Sequence, residues 1–391
     1  MVSLISTCRI NFGFERKPQM TNPQALWLNA KHGKLTTGPA SETMPKADEI
    51  VVRNHAVAVN PVDWIIQSLG DVMMPWLNYP FVLGTDVAGE VVAIGSAVHR
   101  FKVGDRVLGH AVGSDKQRNC AAEGGFQTRT LLLERMAAPI PDSLTFEDAS
   151  VLPLGLSTAA CGLFQDDCLG LEQPSAYPEK SGKTVLIWGG STSVGCNAIQ
   201  LAVAAGYDVV TTASPRNFDY VRGLGARTAF DYASPTVVAD IVRELKGRTL
   251  AGALAIGETS AAACLDIVHA SEGARTVAVC TPPVSFAGLP AGRGRFWKFP
   301  PLMARLIGSN AKLFITAGLR GVRMRYIFSS SILGNDVSRA IYERFLPTAL
   351  AEGRYIAAPQ AMVVGHGLAA IPAALEMQKK GVSARKLVVT L

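Results

Sequence analysis

The sequence predicts an α/β protein with two cores: a β-rich part and a doubly wound parallel-sheet domain. Three observations carry this. Thr184–Trp188 is a short buried-strand pattern, broken by Gly189 and Gly190. Val194, Ala198, Leu201, Ala202 and Ala205 then recur at helical spacing, and Tyr207–Thr212 reads as a second strand. Residues 24–150, by contrast, show short β runs and turns without a helical repeat. Finally, 391 residues are enough to fill two cores.

Residues 1–20 carry Arg9, Arg16 and Lys17 against Glu15 alone. They read either as a transit peptide or as lead-in before a true start at Met20, where Met20–Trp27 opens a normal first strand. Ile50–Val59 is a long β run. Val87–Ile94 ends in Gly95, Val103–Gly109 is a tight turn feeding a strand, and Phe126–Leu133 is another strand. Residues 145–164 read as a capped helix, a proline break and a second helix. Residues 165–183 are polar and are expected as an exposed loop. After residue 232 the alternation continues: helix Pro235–Leu245, strand Gly252–Ile256, helix Ser260–Val268, strand Arg275–Cys280. Residues 281–310 hold five prolines with Arg293, Arg295 and Lys298, and read as a basic excursion or a solvated loop. Lys312–Ala317 is expected as the last sheet strand. Helices Val337–Ala351 and Leu368–Lys380 and strand Lys386–Leu391 follow, the strand returning to the β-rich part. The expected division is 21–151 with 319–391, and 152–318.

Hydrophobic residues make up 48% of the chain, yet no apolar run reaches the roughly 18 residues that span a bilayer. A soluble, cytoplasmic protein without a membrane partner is expected. Seven cysteines include no C-x-x-C pair, which fits a reducing compartment. The net charge of +7 reads as spread along the chain, too diffuse for nucleic acid but suited to an acidic partner or anionic substrate.

A strand, a glycine turn and a helix start aim free backbone N–H groups at a diphosphate. Gly189, Gly190, Ser191, Thr192, Ser193, Val194 and Gly195 form that turn, a G-x-G-x-x-G pattern with Thr192 at its middle glycine. Sites for NAD usually place an acid at the end of the second strand. Here the chain reads Thr211-Thr-Ala-Ser-Pro-Arg-Asn217, with no acid. Ser214 and Arg216 offer a hydroxyl and a guanidinium to a 2′-phosphate, which would favour NADPH about ten- to a hundredfold. Read otherwise, Arg216 is an exposed loop residue. Asn217 and Thr281 complete the expected cofactor set. Tyr232 either packs on the phosphate end or is a half-buried strand tyrosine.

The order of Asn60-Pro-Val-Asp63, Leu83–Gly95, Val103-Gly-Asp-Arg-Val107, Gly125-Phe126, Leu152–Ala159, the turn at 189–195 and Gly381–Val388 resembles the medium-chain dehydrogenase/reductase superfamily over residues 22–391. The resemblance implies a GroES-like catalytic domain, a Rossmann domain and a cofactor cleft between them. Its zinc alcohol dehydrogenases carry Gly-His-Glu where this chain has Gly84-Thr85-Asp86, and a catalytic cysteine where it has Asn60–Asp63. A structural-zinc lobe near 110–124 would find only Cys120, so no metal site is expected. Asn60–Trp64, Leu152–Thr158, Gly189–Ser193, Ser214–Phe218 and Phe230–Tyr232 look like the fungal trans-acting enoyl reductases of polyketide clusters. That implies hydride transfer from NADPH to an α,β-unsaturated thioester presented on an acidic acyl carrier domain, by a monomer or homodimer. Ile65 stands where relatives often carry Lys, and Ala255-Ile-Gly257 where they show Asp-Cys-Ile.

Such chemistry needs a donor to the thioester oxygen and a proton. Asn60 reads as that donor or as a strand-end cap. Thr158 contacts the nicotinamide or substrate, or bonds its own helix turn. Asp63 holds a turn or donates a proton. His110 is a further proton source, with solvent as the alternative. Trp64, Trp76 and Phe126 wall an acyl tunnel or pack a core. A stand-alone quinone or enone reductase and a decayed NADPH-binding member are the competing readings.

Overall fold

The protein is described here from a computed structural model, over residues 22–289 and 295–391. The readings for residues 1–20 and for Arg293 lie outside the described residues. Up to residue 140 the chain forms strands β1 (Gln24–Leu28), β2 (Leu35–Pro39), β3 (Glu49–Ala58), β4 (Phe81–Val82), β5 (Asp86–Ile94), β6 (Arg106–His110), β7 (Arg129–Leu133) and β8 (Ala137–Pro139). Strand β3 is buried at all but Arg53 and His55 and lies centrally, antiparallel to both β5 and β7.

One helix interrupts this β-rich part where no helical repeat was expected: α1, Pro61–Met73. Its start signals are in the sequence. Pro61 takes the first position, where its missing N–H costs nothing, and Asp63 accepts from the backbone N–H of Asn60 at 2.8 Å. The expected helix–proline–helix follows as α2 (Phe146–Ala149), capped by Thr145, and α3 (Pro153–Phe164).

The second sheet is parallel throughout. It contains β9 (Lys183–Trp188), β10 (Asp208–Ala213), β11 (Thr228–Asp231), β12 (Thr249–Ala255), β13 (Thr276–Val279) and β14 (Arg323–Tyr326), in the order β11-β10-β9-β12-β13-β14. This is a doubly wound Rossmann sheet. Both faces are covered. Val185 and Ile187 of β9 enter the cluster shared with α3 and α4 (Ser193–Ala204). Leu186 and Trp188 enter the opposite cluster, with α6 (Val237–Glu244) and α7 (Ser260–Ala270). Helix α5 (Phe218–Gly223) joins β10 to β11.

Two expectations fail after Thr281. Lys312–Ala317 is not a strand, and the basic stretch is not all loop: Arg295–Leu319 is one helix, α8, with Pro300 and Pro301 inside it. The last strand of the sheet is β14, beyond the boundary expected at 318. The helix expected over 337–351 is present but mixed: α9 (Val337–Arg339), a π turn at Ala340–Phe345 and α10 (Leu346–Ala351). Strand β15 (Gln360–His366), α11 (Ile371–Lys380) and β16 (Arg385–Thr390) complete the chain. Strand β16 pairs antiparallel with β3, so the terminal strand does return to the β-rich sheet.

Candidate active site

The strand order reverses beside β9, between it and β12, and the carboxyl ends of the strands at such a switch point are where open α/β sheets bind their ligands. The turn after β9 is built around its glycines. Gly189 has φ +91°, a conformation that L side chains rarely adopt. A Cβ on Gly190 would lie 2.2 Å from Thr211 Oγ1, and one on Gly195 would lie 2.2 Å from the Gly189 carbonyl oxygen. Thr192 caps α4: its Oγ1 accepts from Gly195 N–H at 3.0 Å and donates to the Gly189 carbonyl at 2.8 Å. Val194 packs on the core beneath the turn, while Ser191 is half-buried. Ser193 Oγ is buried with no partner among the described residues. A close-packed cradle with a free helix start and an orphaned hydroxyl fits a dinucleotide diphosphate.

The other expected cofactor residues gather on the same edge. Ser214 follows β10 and donates to the Tyr232 hydroxyl at 3.3 Å, so the loops after β10 and β11 meet. Tyr232 is 51% exposed and lies just past the end of β11 rather than within the strand. Arg216 is exposed, without an ion pair among the described residues. Asn217 is turned away: it is buried, and its amide donates to Ser383 Oγ at 3.2 Å, fastening this loop to the C-terminal segment. Thr281 sits past the end of β13 and accepts from Gly257 N–H at 3.1 Å, which ties the ends of β12 and β13.

The expected catalytic residues have different work. Asn60 is 3% exposed. Its amide N–H groups donate to Thr85 Oγ1 at 3.0 Å and Asp86 Oδ2 at 2.8 Å, while its oxygen accepts from Lys386 Nζ. It has no free N–H for a substrate oxygen. Asp63 is wholly buried as the partner of Asn60 N–H, and burial pushes its carboxyl up to about 7. His110 is also buried, and burial pushes it down to about 4, so it is neutral at pH 7. His110 Nδ1 lies 2.9 Å from Ser157 Oγ, which is 2.7 Å from the Tyr342 hydroxyl, itself donating to the Pro153 carbonyl at 3.0 Å. Thr158 donates to the Leu154 carbonyl at 2.8 Å, within its own helix.

The expected tunnel walls are core. Phe126 has no exposed surface, and its ring lies where a Cβ on Gly84 would fall, 2.4 Å away. Trp64 is buried against α11, its indole N–H donating to Gln378 Oε1 at 2.5 Å. Trp76 is partly buried and bonds the Ser114 carbonyl at 3.1 Å.

The group that sequence reasoning missed is the pair at the centre of this network. Lys386 Nζ lies 2.8 Å from Asp86 Oδ2, with both side chains buried. Asp86 Oδ1 accepts from Leu154 N–H at 2.6 Å, the first turn of α3. One carboxylate thus joins the ends of β3, β5 and β16 to α3. The signal was a lone lysine in the apolar terminal strand, since lysine is almost never fully buried unless paired.

Residues 46–142 match the alcohol dehydrogenase GroES-like domain. Over 374 residues, the chain is 49% identical to "Dehydrogenase pigH" of Monascus ruber, covering 95% of this chain and 100% of that one. The chain belongs to the medium-chain dehydrogenase/reductase superfamily. It is also 37% identical to "Trans-enoyl reductase himH" of Aspergillus japonicus, covering 94% of this chain and 97% of that one. The crystal structure of CurK enoyl reductase superposes with a TM-score of 0.67 over 95% of this chain and 99% of that one, at 18% identity, a likeness of fold. As a member of this superfamily the chain is an oxidoreductase with a GroES-like domain, a Rossmann sheet and a nicotinamide cofactor. Among the described residues, no helix is long and apolar enough to cross a membrane.

Proposed function

We propose that this chain is an NADPH-dependent enoyl reductase that works in trans on the carrier-borne acyl thioesters of a polyketide synthase. The observation that carries the reading is the mutual engagement of Asn60, Thr85, Asp86 and Lys386. Thr85 accepts from Asn60, and Asp86 holds Lys386, Asn60 and the start of α3. These groups brace the scaffold, and none of them is free to act as acid or base in an alcohol oxidation. Reduction of a conjugated double bond asks less of the protein: a placed hydride donor and an oriented acceptor. Relatives called trans-enoyl reductases support it, at 37% and 32% identity.

When bound, NADPH supplies the hydride. The turn at 189–195 would hold the diphosphate, and Ser214, Arg216 and Tyr232 would meet the 2′-phosphate. The Thr158 proton is committed to Leu154, so its oxygen acts as an acceptor, suited to the amide of a nicotinamide. The β-carbon receives the hydride, the thioester becomes an enolate, and water protonates the α-carbon. With Asn60, Asp63 and His110 withdrawn into the network, no side chain is assigned as the acid.

The test is NADPH consumption with crotonyl pantetheine, a crotonyl-loaded carrier domain and a quinone, with NADH as control. Thioester turnover that is faster on the carrier supports the proposal. Quinone turnover alone makes the chain a stand-alone reductase, and tight NADPH binding without turnover a decayed one. In Arg216→Ala the preference for NADPH should fall about ten- to a hundredfold, the value of one charge-assisted hydrogen bond; an unchanged ratio of the two kcat/KM values would remove Arg216 from the site.

A further inference from the structure

The positive charge of this chain is not spread out. Between Glu272 and Asp336 the sequence holds nine Lys or Arg and no Asp or Glu, which exceeds the net +7 of the whole chain. Helix α8 lies in this stretch. Its inner face bridges the two sheets: Phe299, Leu302 and Leu306 pack on the β-rich cluster, and Leu313 and Ala317 on the Rossmann cluster. Its outer face is apolar as well. Phe296, Trp297, Ile307, Phe314, Ile315 and Leu319 are between 51% and 85% exposed. A contiguous exposed apolar stripe of this kind marks an interaction surface, and nothing among the described residues covers this face. Along its edge run Lys298, Arg305 and Lys312, spaced by seven and so aligned, exposed and without ion pairs among the described residues.

We infer that the outer face of α8 is the docking surface for an acidic protein partner. Resting on the function proposed above, that partner is the carrier domain that brings the acyl chain. Complementary charge favours it, because an acid-free basic ridge beside an apolar stripe is matched by an acidic surface with an apolar centre. A second copy would instead set one basic ridge against another. The relief suits a protein more than a lipid surface: Gly308, Ala311 and Gly318 leave hollows between Ile307, Phe314 and Leu319 into which a partner's side chains fit. The place is also right. The chain leaving Thr281 at the cleft packs Val284, Phe286 and Leu289 into the cluster that supports the first half of α8. A carrier docked there stands on the segment that leads out of the site.

The test uses the full chain with two double variants, Ile307→Ser/Phe314→Ser and Arg305→Glu/Lys312→Glu. Both should lower kcat/KM for crotonyl-loaded carrier domains of the host's synthases by about tenfold or more, while kcat/KM for crotonyl pantetheine stays within about twofold. Unchanged carrier turnover, or a parallel loss on pantetheine, overturns the inference. So does a wild-type dimer that the variants convert to monomer, or wild-type binding to phosphatidylserine vesicles that the variants lose. If wild type reduces neither thioester, the functional reading fails by itself, and calorimetric titration with the carrier domains decides the docking: binding lost in the variants sustains it, and no wild-type binding ends it.

Discussion

Lys386 and Asp86 form a buried ion pair on which Asn60 and the start of α3 both depend. Removing one partner strands the other charge in a medium that cannot solvate it. Lys386→Met should therefore cost about 3–5 kcal/mol in urea unfolding. Combined with Asp86→Asn, which removes the stranded charge, it should cost less than it does alone; a single-variant cost below about 1 kcal/mol would deny the pair this role. Asp63 supplies a pH signature. Burial raises its carboxyl from 3.8 to about 7, with repulsion from Asp86 adding to it and the Asn60 N–H opposing. The folded state thus prefers the proton more than the unfolded state does. Stability tied to Asp63 is complete below about pH 4 and is lost as pH rises through 7. Wild type should lose up to about 4 kcal/mol relative to Asp63→Asn across that window. Parallel stability curves for the two proteins would show that Asp63 does not titrate there.

At the scale of the element, the turn after β9 works through what its glycines leave out. Gly195 lets the first turn of α4 press against Gly189, with no room for a Cβ. Gly195→Ala must push the helix start away from the strand end, and should cost about 1–3 kcal/mol while weakening NADPH binding. Thermal unfolding with and without NADPH would show both; an unchanged cofactor-induced rise in Tm would mean that the turn tolerates the shift. Helix α8 shows the opposite logic. Pro300 and Pro301 argue for a loop, because each removes the N–H that bonds the carbonyl four residues back. Those carbonyls belong to Phe296 and Trp297, near an exposed helix start, where water can take them. Burial of Phe299, Leu302, Leu306, Leu313 and Ala317 then outweighs the two lost bonds.

For the whole molecule, what matters is where the charge lies. A chain whose surplus cations fall in one stretch of sequence, with Lys298, Arg305 and Lys312 aligned on α8, presents a local positive field there, and association with an acidic partner should be steered by it. Carrier-borne turnover should accordingly fall as salt is raised from about 0.05 to 0.5 M, since the screening length shrinks through about 10 Å at 0.1 M. Turnover of uncharged crotonyl N-acetylcysteamine should stay flat over the same range. Equal salt dependence of the two substrates would place the effect in the cofactor site.

The sequence by itself determined the strand–turn–helix at 184–205, the run of parallel elements after it, the capped helix pair at 145–164 and the return of the terminal strand. Each rests on a local pattern of apolar spacing, caps and glycines that neighbours in space do not change. That the residues expected to hold the cofactor lie along one edge was legible for the same reason: in a parallel sheet, the ends of successive strands share one edge. The roles of Asn60, Asp63, Phe126 and Trp64 were not legible, and neither was α8. Whether an amide has a free N–H depends on Asp86 and Lys386, far away in the chain. Whether an aromatic ring lines a cleft or fills a core depends on what packs over it. Those facts exist only once β3, β5, β16 and α3 are brought together, and only the tertiary structure decides them.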